Sequence, residues 1–221
     1  MDQPAPLRVI CMSDTHGFHR QLTTPPGDIL IHAGDFMISG REAEEVFDFN
    51  DWLGGLPHKY RIVVAGNHDL LFASHPRKAR SLLTNAIYLE NSGVTVEGLQ
   101  FWGCPVTPVI ASMAFAVERG PASREYWDRV PTETDVLITH GPPLRVLDTE
   151  SLLSSHWGCD QLTRAVLRAK PRLHVFGHVH GSYGREDGPH GINFVNCAVL
   201  IRLSTGDYGL REPIIVDLDR P

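Results

Sequence analysis

The 221-residue chain has only four cysteines, Cys11, Cys104, Cys159 and Cys197, and no CxxC pair. That spacing argues against a disulfide framework; the expectation is free buried thiols in a reducing compartment, the cytoplasm. There is no basic excess. Lysine plus arginine is 20 against 26 aspartate plus glutamate, a net charge of −6, which argues against stable sequence-independent binding to nucleic acid. No apolar run is long enough to span a bilayer. The longest, from Cys104 to Val117, is interrupted by Pro105 and Pro108, so no membrane helix is expected. The start, MDQPAPLR, lacks a basic segment followed by an apolar core, and no targeting segment is read there. GxxxxGK[ST], GxGxxG after the first strand and GxSxG are also missing, which disfavours P-loop, Rossmann and serine-hydrolase chemistry. With no repeat and no low-complexity linker, one domain over residues 1–221 is expected. What the chain does have is histidine, 12 in all, many beside aspartate or glycine.

Short apolar runs recur with helical stretches between them. Leu7–Ser13, Asp28–Ala33, Tyr60–Ala65, Asp135–Thr139 and Leu173–Phe176 are Val/Ile/Leu-rich and predict strands buried on both faces. Val94–Val96, Leu99–Trp102, Asn193–Val195, Val199–Leu203 and Pro213–Val216 are further strand candidates. Helices are predicted over Ser39–Leu53, with Ser39 and Glu42 as a capping box, over His75–Leu83, and over Asp160–Ala169. The pattern gives an α/β fold of two packed mixed β-sheets flanked by helices. Pro105–Val130 reads as a long loop with a functional role.

Polar residues gather where the first five strands end. Asp14-Thr15-His16-Gly17, Gly34-Asp35, Gly66-Asn67-His68-Asp69, His140-Gly141 and Gly177-His178-Val179-His180 each follow an apolar run. Ligands bind outside the carboxyl ends of strands in open α/β sheets, so these exits would share one crevice. Clustered carboxylates and imidazoles are costly to bury unless cations neutralise them. Asp14 and His16, like His178 and His180, stand at i, i+2. In extended backbone each pair would point to one side about 6.6 Å apart, a span that suits two ions about 3.5–4 Å apart.

These five motifs, in this order, resemble the calcineurin-like metallophosphoesterase superfamily. The stretches Phe49–Asn67, Thr139–Leu144 and Pro171–Gly184 resemble its metallophosphoesterase-domain-containing (MPPED-type) branch. The likeness covers roughly residues 7 to 216. It implies an αββα sandwich and two divalent metal ions, Mn²⁺ first, with Fe or Zn²⁺ as alternatives. By the resemblance, Asp14, His16 and His180 hold one ion, Asn67, His140 and His178 hold the other, and Asp35 bridges them. A bridging water or hydroxide is then the nucleophile, His68 assists the leaving oxygen, and Asp69 orients the His68 ring. The family commonly has Glu where this chain has Asp69, and some branch members have Gly where it has His178. The implied substrates are phosphodiesters: cyclic nucleotides or small nucleotide or aryl diesters.

Other readings compete. A phosphomonoesterase or protein phosphatase is the nearest, but family protein phosphatases usually carry Arg where Ala65 stands. A nuclease is disfavoured by the acidic balance. A non-catalytic scaffold would be expected to lose ligands or His68, and all are present. Outside the motifs, His32 is expected to be a hydrogen-bonded core residue. His58, His75, His156, His174 and His190 are expected on the surface or in loops. His19 is expected either to line the pocket or to be exposed. Arg145 is read as exposed, Trp127 as core, and Phe115 and Tyr126 as possible stacking partners for a base.

Overall fold

In a strand buried on both faces, alternate side chains feed two different cores. The computed structural model, which describes residues 5–109, 112–151 and 155–221, follows that rule in both of its large sheets. The strands are β1 (Leu7–Met12), β2 (Ile29–His32), β3 (Tyr60–Val63), β4 (Ile87–Tyr88), β5 (Ser92–Val96), β6 (Leu99–Cys104), β7 (Thr107–Pro108), β8 (Ala116–Val117), β9 (Val136–Thr139), β10 (Leu173–Phe176), β11 (Gly184–Asp187), β12 (Asn193–Asn196), β13 (Leu200–Arg202), β14 (Tyr208–Leu210) and β15 (Ile214–Leu218). The helices are α1 (Ala43–Gly54), α2 (Leu70–Ser74), α3 (Pro76–Leu82), α4 (Pro121–Trp127) and α5 (Asp160–Ala169).

One sheet has the order β15-β1-β2-β3-β4 and the other β11-β12-β10-β9-β6-β5. In the first, β1, β2, β3 and β4 run parallel and β15 is antiparallel. In the second, β12, β10, β9 and β6 run parallel, with β11 and β5 antiparallel at the edges. Val9 and Cys11 of β1 join Ile29, Ile31, Ile62, Val136, Ile138, Leu173 and Val175 between the sheets. Ile10 and Met12, one residue out of phase, face Val46, Phe49 and Leu53 of α1. Leu137 and Phe176 face Leu162, Ala165 and Val166 of α5, with Trp127 of α4. The architecture is the expected sandwich of two mixed sheets with helices outside.

Two predicted helices differ in detail. The first begins at Ala43 rather than Ser39, with Glu42 at its N-cap and no side-chain cap bond. The capping box does not form because Gly40 adopts φ +75° and packs where a Cβ would collide with the His68 carbonyl. Ser39 instead donates its backbone N–H to the Glu45 carboxylate, at 3.1 Å. The second, predicted over His75–Leu83, forms as α3 with His75 at its N-cap, and the short α2 that precedes it has no counterpart among the predicted helices. The Pro105–Val130 segment contains β7, β8 and α4 rather than loop alone; its Ile110 and Ala111 lie outside the described residues. No helix among the described residues is long and apolar enough to cross a membrane.

His58 and His174, expected on the surface or in loops, are both buried, His58 in the segment between α1 and β3 and His174 within β10. His58 is buried beside the Pro25 carbonyl, 3.0 Å away. His174 is fully buried in β10, and its Nε2 lies 2.8 Å from Thr139 Oγ1. His32 is buried as expected, 3.0 Å from Thr15 Oγ1. Burial pushes the His174 imidazole down to about 3. A base depressed in the folded state stabilises the fold fully above its unfolded value of about 6.5. That stability is lost as pH falls from 6.5 toward 3, because only the unfolded chain takes up the proton. Urea unfolding at pH 7.5 and pH 5 should therefore show His174→Gln losing about 2 kcal/mol less on acidification than the parent. Equal losses would contradict the account.

Candidate metal centre

The predicted site residues all sit just past the carboxyl ends of parallel strands. Asp14 and His16 follow β1, Asp35 follows β2, and Asn67, His68 and Asp69 follow β3. His140 follows β9, and His178 and His180 follow β10. The loops are tied by backbone bonds within and between the sheets. Asp14 N donates to Gly34 O at 2.8 Å and His16 N to Asp35 O at 3.0 Å. Ser13 N donates to Cys197 O at 2.9 Å, joining the end of β1 to the end of β12.

Three groups of ligand-type atoms result, each with all its atoms within 4.8 Å of one another. They are Asp14, His16 and His180; Asp35, His140 and His178; and His16, Asp35 and His68. Asn67 joins the second group through Oδ1, 2.8 Å from His140 Nε2. Asp35 Oδ2 lies 3.3 Å from His140 Nε2 and 3.8 Å from His16 Nε2, so it stands between the first two groups.

The pleat of an extended strand does not produce this convergence, contrary to the i, i+2 argument. Asp14 (φ 55°), His16 (φ 42°), Asp35 (φ 56°) and His178 (φ 69°) all adopt left-handed backbone, which costs of order 1–3 kcal/mol at each non-glycine residue. Close approach completes the turn. A Cβ on Gly177 would collide with Ser13 Oγ and Asp14 Oδ2. His178 N then donates to Asp14 Oδ2 at 3.0 Å.

The donor chemistry fits divalent cations. His140 Nδ1 lies 2.9 Å from the Ala33 carbonyl, which assigns its N–H to that side and leaves the Nε2 lone pair facing Asn67 Oδ1 and Asp35 Oδ2. Three acceptors cannot satisfy one another; a proton or a cation must lie among them. His178 Nε2 is buried without any hydrogen-bond partner. Burial raises the Asp14 carboxyl, but the hydrogen bond from His180 and the surrounding imidazoles outweigh it and hold it below the usual carboxylate range. Asp35 is likewise lowered to about 2, against its burial, chiefly by His140. Burial opposes charge on His140, yet Asp35 and Asp14 lift it to about 9. Burial depresses His178 to about 4. Both carboxylates are thus negative at neutral pH and draw positive charge into the site.

Asp69 does a different job from the one expected. Its carboxylate accepts the backbone N–H groups of Gly66 (2.7 Å), Asp35 (2.9 Å) and Met37 (3.0 Å), and no described residue hydrogen-bonds the His68 ring. The shorter acid braces the Asp35 and Asn67 loops instead of orienting His68. The His68 ring is half-buried, edge-on to His16 with centroids 4.8 Å apart. Its backbone N–H donates to Asp35 Oδ1 at 2.7 Å.

A cavity of about 330 Å³ opens over the cluster, lined by His16, Asp35, Asn67, His68, His178, His180, Met113 and Trp157. Sequence reasoning missed Met113 and Trp157. The Trp157 ring stands 6.1 Å from that of His178. Its backbone is held by two contacts, the Trp157 backbone N–H donating to the Asp148 carbonyl at 2.9 Å and Arg119 Nη2 donating to the Trp157 carbonyl at 3.0 Å, and sequence carries no sign of either. His19 neither lines this cavity nor is exposed. It is buried against Phe49 and Trp52 with Nε2 2.9 Å from Asp48. Arg145 is exposed and Trp127 is core, as expected.

Replacing Asp69 by Asn would turn one acceptor oxygen into a donor facing buried N–H groups. The cost should be about 2–4 kcal/mol of stability, measured by urea unfolding. A change below about 0.5 kcal/mol would remove Asp69 from this role.

Comparisons with known proteins agree with the geometry. The family model described as calcineurin-like phosphoesterase matches residues 7–182. Metallophosphoesterase domain-containing protein 1 of Homo sapiens is 40% identical over the full chain, which covers 74% of that protein. A UPF0046 protein of Caenorhabditis elegans is 41% identical over 95% of the chain and is itself 74% covered. The crystal structure of TT1561 of Thermus thermophilus shares the fold, with a TM-score of 0.61 at 11% identity, covering 94% of this chain and 99% of that one. The family implies divalent metal ions and supports hydrolysis of phosphoric esters, and this chain belongs to the calcineurin-like phosphoesterase family.

Proposed function

We propose that the protein is a dinuclear metal-dependent phosphodiesterase acting on cyclic nucleotides or small nucleotide or aryl diesters. The observation that carries this reading is the pair of ligand groups meeting at Asp35 on the floor of one cavity. Asp14, His16 and His180 would hold one ion and Asn67, His140 and His178 the other, with Asp35 shared between them. Mn²⁺ suits this mixture of imidazole, carboxylate and amide oxygen, as do Fe and Zn²⁺. When bound, the two ions make water more acidic and neutralise charge on phosphoryl oxygens.

The chain's own side chains complete the reaction. Asp14 and Asp35, ionised and buried, fix the charge of the floor. His68, at the cavity wall, donates a proton to the departing ester oxygen as the P–O bond breaks. Trp157 and Met113 give the cavity an apolar wall, which excludes water and suits an aryl or nucleobase group on the ester. That wall supports a diester with an aromatic substituent.

On Mn²⁺-loaded protein, kcat/KM for bis(p-nitrophenyl) phosphate should exceed that for p-nitrophenyl phosphate by about tenfold or more. The opposite ratio would assign a phosphomonoesterase, and inactivity on both with metal bound would assign a scaffold. His68→Ala should lower kcat by about 10²–10⁴-fold on diesters with an alkoxide leaving group, and far less when p-nitrophenolate leaves. Equal losses on the two would remove His68 from proton transfer.

A further inference from the structure

A second cleft, of about 420 Å³, adjoins the cavity over the cluster, and His178 and His180 line both. Part of its wall comes from the β13–β14 hairpin. Arg202 ends β13 and Arg211 follows β14, and both line the cleft. Arg211 is held in place. Its Nη1 donates to His180 O at 2.8 Å and to Ala198 O at 3.2 Å, and its guanidinium lies over the Tyr183 ring, 5.0 Å from the centroid. Nε and Nη2 of Arg211 have no hydrogen-bond partner among the described residues. Arg202 is exposed, and no described carboxylate pairs with it. Glu150 also lines the cleft, and its Oε2 accepts Gly181 N–H at 3.1 Å. Two guanidiniums against one carboxylate leave the cleft positive beside a site built for a phosphoryl group.

We propose that Arg202 and Arg211 form a subsite for a second anionic group of the substrate, a phosphate carried by the moiety beyond the scissile diester. The proposal rests on the phosphoesterase reading of the neighbouring centre and adds to it the substrate's charge. A guanidinium presents paired N–H donors that match two phosphate oxygens, and it stays charged at any working pH. The anchored Arg211 is pre-organised, so little side-chain freedom is lost on binding. The shared histidine wall sets the second phosphate next to the scissile one, while Trp157 and Met113 occupy the other cavity with apolar surface.

The test uses the p-nitrophenyl ester of thymidine 5′-phosphate, with and without a 3′-phosphate, on the Mn²⁺-loaded protein. The 3′-phosphate should raise kcat/KM by about tenfold, the scale of one charge-assisted contact. Arg202→Ala should reduce that preference to within about threefold, and Arg202→Glu should reverse it. Because Arg202 is exposed, neither change removes a buried contact. Calorimetric titration with thymidine 3′,5′-bisphosphate and thymidine 5′-monophosphate should show the same preference in Kd. Equal kcat/KM for the two esters, or a preference that survives in Arg202→Glu, would overturn the subsite. If neither ester is cleaved but the bisphosphate binds tighter in an Arg202-dependent way, the subsite stands and the phosphodiesterase reading fails.

Discussion

Burying carboxylates without neutralising them is among the most expensive things a fold can do. This protein buries three at one point: Asp14, Asp35 and Asp69. Each is handled differently. Asp69 is surrounded by three backbone N–H groups; burial and the nearby Asp35 push its carboxyl well above the usual range. Asp14 and Asp35 are held ionised by imidazoles. The imidazoles in turn offer lone pairs that a proton fills incompletely, as the orphaned His178 Nε2 shows. The site is organised around acids that require cations, and the surrounding loops serve that requirement.

The two-sheet sandwich makes the arrangement possible. Parallel strands direct all their carboxyl ends one way, and two such sheets packed face to face bring two sets of ends together. The backbone bond from Ser13 N to Cys197 O crosses from one sheet to the other beside Asp14. Asp35 then meets His16 from its own sheet and His140 from the opposite one. Turns anchored at the ends of rigid strands carry the ligands, while Met113 and Trp157, farther along connecting segments, supply the walls. Such a division suits chemistry that needs a fixed floor and a variable rim.

The strands and the five motifs were legible because each motif follows an apolar run whose length and β-branching mark a buried strand. Asp160–Ala169 was legible for a similar reason, with Asp160 in its first turn and Pro171 beyond its end. Several features were not. The left-handed turns at Asp14, His16, Asp35 and His178 depend on backbone bonds between distant loops, so local spacing suggested extended chain instead. The capping box failed because Gly40 is needed against His68, 28 residues away in sequence. His58 looked peripheral because an isolated histidine in a connecting segment carries no sign of its burial; His174, by contrast, stands inside Leu173–Phe176, a run read as a buried strand, so its burial was legible from that run although the residue itself was placed outside the core. The role of Asp69 was misassigned because its partners are backbone amides, which every residue has. Trp157 is set in the cavity wall by bonds from its backbone to Asp148 and to the Arg119 side chain, which periodicity does not encode.

The central claim is that Asp35 is shared by two cations. Anomalous diffraction from crystals of the full chain soaked in Mn²⁺ tests it directly. The account predicts two peaks about 3.5–4 Å apart, one among Asp14, His16 and His180, the other among Asn67, His140 and His178, with Asp35 reaching both. A single peak at saturating Mn²⁺, or two peaks with Asp35 bound to only one, would contradict it.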